Sequence, residues 1–138
     1  MSSFTEALIA KKLHGDRWIV EKAFDYHVGD EASNDIVTVP KGFETDLASV
    51  PFPLTFFIPK DGTHTQAAVL HDWLYCSSLL HLRTRKECDL IFLEAMKVLK
   101  VPMWKRHIMY RAVRLFAFNP WDNYRKSFRQ QEKKNGIS

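Results

Sequence analysis

The chain has 138 residues, 46% hydrophobic and 26% charged, a balance that fits one globular domain and excludes a low-complexity chain. Its two cysteines, Cys76 and Cys88, form no CxxC pair and are too few for a disulfide framework, so they read as buried thiols of a reducing compartment. The net charge of +4 is uneven: residues 1–82 carry 6 basic and 11 acidic side chains, a net −5, whereas residues 83–138 carry 14 and 5, a net +9. No apolar run approaches the roughly 20 residues of a membrane-spanning helix. Met1 to Glu6 lacks the basic and apolar regions of a signal peptide, so a cytoplasm is the expected compartment.

The first half reads as β. An early strand is expected over residues 7–13, ended by Gly15-Asp16. Across residues 17–28 the even positions Trp18, Val20, Phe24, Tyr26 and Val28 are apolar, with Lys22 the exception, and Glu21, Asp25 and His27 are polar. That period of two predicts a half-buried strand. Ile36-Val37-Thr38-Val39 is a short β-branched strand stopped by Pro40 and Gly42. The chain then leaves the strand through Phe43 to Asp46.

Beyond Pro51 the character changes, because Pro51, Pro53 and Pro59 permit only short pieces. Asp61-Gly62-Thr63 is a turn and N-cap, and a helix is expected over residues 64–77. A loop over residues 79–83 follows. Thr84-Arg85-Lys86-Glu87 matches a capping box and opens a second helix that runs to about residue 99, before Val101-Pro102. A third helix is expected over residues 103–118, with Trp104, Ile108, Ala112, Leu115 and Phe116 at core-facing spacing. Asn119-Pro120 closes it, and residues 121–138 form a polar, basic tail with a helical front and a frayed end. The fold class is α+β in a single domain. Residues 1–46 are mainly β and form a small antiparallel sheet, and residues 63–118 form a helical subdomain of about three helices.

The chemistry is concentrated in His71-Asp72-Trp73-Leu74-Tyr75, with Asp89 on the next helix. His71 and Tyr75 lie four apart and share a helix face, with Cβ atoms roughly 5–6 Å apart. Asp89 is placed to accept hydrogen bonds from both. A carboxylate on one imidazole nitrogen fixes the tautomer and leaves the other nitrogen to act as a base. Asp72, turned away by one position, is then available to a hard cation such as calcium. Asp46 either caps the backbone N–H groups of Ala48 or Ser49 or faces His71 in a metal or acid–base cluster. Ser49 lacks the small-residue elbow that exposes a nucleophilic serine. The same three residues His71, Tyr75 and Asp89 equally make a closed polar network that fastens two helices. Lys105, Arg106, Arg111 and Arg114, interleaved with Trp104 and Tyr110, either form a basic docking face for acidic protein, lipid headgroups or phosphate, or place some of these arginines in internal pairs with Glu87, Glu94 or Asp89. No nucleic-acid module is recognisable, so nucleic acid is not expected as a specific partner.

Two resemblances add to this. The order HDxxY followed by the aspartate Asp89, preceded by Cys88, resembles the catalytic helix pair of the secreted phospholipases of the A-two class. It implies His71 as general base, Asp72 as calcium ligand, and Tyr75 and Asp89 as residues that orient the histidine. The chain departs from that pattern in having no glycine-rich calcium loop and in carrying Leu74 where secreted members usually have a cysteine. Val39-Pro40-Lys41-Gly42-Phe43-Glu44-Thr45-Asp46-Leu47-Ala48-Ser49-Val50-Pro51, then Ala67-Ala68-Val69-Leu70-His71-Asp72-Trp73-Leu74-Tyr75, resembles a family of tailed phages and prophages known as domain of unknown function 1353. Arg85, Asp89 and Tyr110-Arg111-Ala112-Val113-Arg114 continue the match, which implies a phage origin and no established activity.

Together these predict a virion-associated tail or neck component built around the His-Asp-Tyr-Asp cluster. Its expected partners are other phage structural proteins or further copies in a ring, with lipid or an acidic partner at the basic half. Such a protein is expected in the host cytoplasm during infection and then in the virion. The alternative is a phospholipase-like hydrolase of a lipid or other ester, with His71, Asp89 and Tyr75 as catalytic residues and Asp72 and Asp46 as ligands of a metal, calcium being the candidate.

Overall fold

A computed structural model describes residues 3–13, 17–30, 32–45, 65–81, 83–116, 118–134 and 136. The elements in chain order are β1 (Ser3–Phe4), β2 (Ala10–Lys12), β3 (Trp18–Val20), β4 (Phe24–His27), β5 (Ile36–Val39) and β6 (Glu44–Thr45). The helices α1 (Thr65–His81), α2 (Arg85–Val98), α3 (Met103–Phe116) and α4 (Phe118–Lys134) follow. The class is α+β, with the strands in two three-stranded antiparallel sheets of order β1-β4-β5 and β2-β3-β6.

The alternation across residues 17–28 is real, but it belongs to two strands in different sheets. Lys22 breaks the apolar series, and its ammonium meets Glu6 at 2.8 Å at the surface. The chain bends there, so β3 pairs with β2 and β6 while β4 pairs with β1 and β5. In the first sheet Phe24 faces Val39 and Tyr26 faces Val37 across the ladder, and all four are buried. Phe4 of β1 packs on Tyr26 with ring centroids 4.7 Å apart. Gly42, with φ +89°, sits third in the turn from Pro40 to Phe43, a place where a side chain would be strained.

Helix α1 is buried nearly all round rather than on one stripe: Ala67, Ala68, Val69, Leu70, His71 and Asp72 are each fully enclosed. It runs to His81, through part of the expected loop. Helix α2 begins where the capping box predicts, with the Thr84 hydroxyl accepting from the Glu87 N–H at 3.1 Å. It ends with Lys100 in the left-handed region at φ 62°. The Lys100 and Val101 N–H groups turn back to the Lys97 and Met96 carbonyls, which closes a Schellman motif.

Two expectations are corrected at the C-terminal end. Helix α4 takes up most of the expected tail, because Pro120 falls in its first turn, where a missing N–H is harmless. Helix α3 is turned by about a third of a rotation from the expected face. Met109 and Val113 are its buried residues, while Trp104, Ile108, Leu115 and Phe116 are 62%, 47%, 65% and 62% exposed. Both faces of α3 hold apolar side chains, so hydrophobicity alone leaves its rotation undecided.

Candidate functional site

A polar side chain on α1 has no route to water on either side and must find a partner within the protein. His71 and Tyr75, one turn apart, have ring centroids 4.3 Å apart, and both are fully buried. Asp89, also fully buried, comes from the second turn of α2. His71 Nε2 lies 2.7 Å from Asp89 Oδ1, and the Tyr75 hydroxyl donates to the same oxygen at 2.5 Å. Arg114 of α3 donates to the other oxygen, Oδ2, at 2.8 Å. Arg85 lies 3.7 Å from Oδ2, but its main bonds run to the Val113 and Arg114 carbonyls, both at 3.1 Å. One carboxylate therefore joins α1, α2 and α3, and one guanidinium closes the last turn of α3.

Burial on its own would raise the Asp89 pKa. The hydrogen bonds and charges of His71, Tyr75 and Arg114 outweigh it and hold the carboxyl below its ordinary value, so it is ionised. Burial together with the Asp89 charge pushes the Tyr75 phenol well above its ordinary range, so Tyr75 remains a donor. Aromatic rings close over the cluster. Phe92 lies 4.6 Å from His71, and Trp121 of α4 meets Tyr75 edge-on at 5.1 Å. The Arg125 guanidinium covers the outer side of Trp121 at 4.3 Å.

Asp72 belongs to a separate arrangement. It is fully buried and accepts a hydrogen bond from the Thr45 hydroxyl of β6, which ties α1 to the second sheet. Among the described residues no group of three or more His, Cys, Asp or Glu side chains is arranged to hold a metal ion. Asp46, the other expected ligand, lies outside the described residues, as do Ser49 and its surrounding stretch.

The expected basic face is divided. Arg114 points inward to Asp89, and Arg106 donates to the Val101 carbonyl at 3.2 Å. Arg111 is exposed and Lys105 half-buried. Sequence reasoning brought His71, Tyr75 and Asp89 together and held internal pairing with Asp89 open for the third-helix arginines, the alternative that Arg114 takes, but missed the roles of Arg85 and Thr45. The spacing of Arg85 and Asp89, four apart on one helix, was a usable signal for Arg85. Arg114 had no local signal, since its partner lies 25 positions away. Cys88 is buried as expected, its thiol pushed up to about 12 by burial and the neighbouring Asp89.

A family model described as Protein of unknown function (DUF1353) matches residues 18–113. The chain belongs to that family. The DUF1353 match runs from β3 to the last turn of α3, so it includes Thr45, His71, Asp72, Tyr75, Arg85 and Asp89 and ends one residue before Arg114. No curated protein and no solved structure matches the chain.

Proposed function

We propose that the chain is a noncatalytic component of a tailed-phage particle, at the tail or neck, in which the buried cluster fastens the fold. The observation that carries this reading is Asp89. With no exposure, it accepts bonds from His71, Tyr75 and Arg114, so both oxygens are committed to holding three helices together. A general base has to come within hydrogen-bond reach of the proton it removes, and His71 is enclosed under Phe92. The phage setting rests on the motif resemblance. The opposed charges of the two halves of the chain suit assembly with other phage structural proteins or with further copies in a ring. Quantitative mass spectrometry of purified particles tests this: a fixed whole number of copies per particle is expected. Recovery only from infected-cell lysate, with none in particles, would overturn it.

A second reading is a hydrolase of lipid or other ester with His71 as general base and Asp89 and Tyr75 as its orienting partners. The observation in its favour is that Asp89 Oδ1 receives both His71 Nε2 and the Tyr75 hydroxyl, the arrangement that the phospholipase resemblance implies. Turnover that depends on His71 in a folded protein separates it from the first reading.

A further inference from the structure

We infer that the outward face of α3 is a docking surface for an anionic lipid bilayer. Met109 and Val113 fix which side of α3 meets the core. The opposite side carries Trp104, Ile108 and Leu115, exposed at 62%, 47% and 65%. At 3.6 residues per turn these three positions fall within about 40° of one another, so they form one stripe along a helix about 21 Å long. Arg111 is exposed at one edge of the same stripe, one turn from the exposed His107, and the half-buried Lys105 flanks the other edge. No Asp or Glu occurs between Met103 and Phe116. Helix α4 adds Arg125, Lys126, Arg129, Lys133 and Lys134 against Asp122 and Glu132, a net +3.

Charge decides the occupant. Two copies meeting through α3 would bring arginine and lysine against arginine and lysine. In the acidic half of a second copy, Glu6 is already paired with Lys22, Glu44 with Arg17 and Asp35 with Arg83, and Asp72 is buried. A bilayer with anionic headgroups fits both features at once. The convex stripe sinks to the acyl boundary, Trp104 rests at the headgroup level, and Arg111 and Lys105 reach phosphates on its two edges. The orientation of α3 imposed by Arg114 and Arg85 is what turns this stripe outward. The inference stands on α3 and is independent of the particle assignment.

Co-sedimentation of the full chain with phosphatidylcholine vesicles, with and without phosphatidylglycerol, tests it. Binding is expected only with phosphatidylglycerol and should weaken at high salt. Each basic side chain near the surface accounts for about fivefold in affinity, so Lys105→Glu with Arg111→Glu should weaken binding by about 25-fold or more. Trp104→Ser with Leu115→Ser should also release the protein, while both doubly substituted chains keep the wild-type melting temperature. Quenching of tryptophan fluorescence by brominated lipid should fall in Trp104→Phe. Equal binding to neutral vesicles, or no binding to either, would overturn the inference. So would self-association abolished by the same substitutions, or binding to polyglutamate with vesicles left unbound. None of these outcomes bears on copy number in particles.

Discussion

Replacing Asp89 by Asn removes one charge and leaves the volume nearly unchanged, so it isolates the work of the carboxylate. In the native protein that carboxylate accepts from His71 at 2.7 Å, Tyr75 at 2.5 Å and Arg114 at 2.8 Å. An amide turns one of its two positions into a donor facing donors, and it leaves the Arg114 guanidinium, 30% exposed, without its counter-charge. Breaking one partner of a buried ion pair costs about 3–5 kcal/mol. Unfolding entropy near 2.1 cal/mol/K per residue over 138 residues converts each kcal/mol into ~3.4 °C. Asp89→Asn should therefore melt about 10–17 °C below wild type. Tyr75→Phe, which removes one donor and leaves the ring, should cost about 1–2 kcal/mol, or ~3–7 °C. Thermal melts followed by circular dichroism, with exposed Lys86→Gln as control, make the comparison. If Asp89→Asn melts with the control, the cluster does not fasten the helices and the reasoning fails.

Other outcomes follow from the same geometry. Met109→Ala should cost about 2–5 kcal/mol and Trp104→Ala about 0.5 or less; the reverse order in denaturant melts would mean that α3 is turned the other way. The folded-state pKa of Asp89 lies below its unfolded value, so its contribution is full above about pH 4 and is lost as pH falls through the folded value. Wild type should lose stability on that acid limb more steeply than Asp89→Asn, and parallel limbs would contradict the assignment. The thiol of Cys88 is raised from 9.0 to about 12, so its contribution is complete below pH 9 and declines as pH rises towards 12. Labelling with a thiol reagent should accordingly modify Cys88 only on unfolding. Glu94 accepts from the Tyr26 hydroxyl at 2.7 Å and the Gly29 N–H at 2.9 Å, so Glu94→Ala should cost about 1–3 kcal/mol and speed amide exchange in β4.

What the sequence revealed depended on how local the determining physics was. The strand Ile36–Val39 and the helix opened by Thr84 were legible because β-branching, a capping hydroxyl and flanking prolines act within a few residues. The pairing of His71 and Tyr75 with Asp89 followed from helix periodicity and a short connection. The division of residues 17–28 between two sheets was not legible, since period two is the same in one strand or two. The rotation of α3 was misread because it is fixed by Arg85 and Arg114 meeting groups 25–29 positions away, and no local pattern records that. The partner of Asp72 came from β6, where the sequence shows only an exit from the strand.

The central claim is that His71 serves the fold rather than a reaction. Its most direct test is turnover of a panel of phospholipids and simple esters by the wild-type protein, supplied in turn with calcium, zinc, manganese and magnesium. The account predicts no hydrolysis above the rate given by His71→Ala. Hydrolysis by wild type that disappears in a folded His71→Ala protein would contradict it.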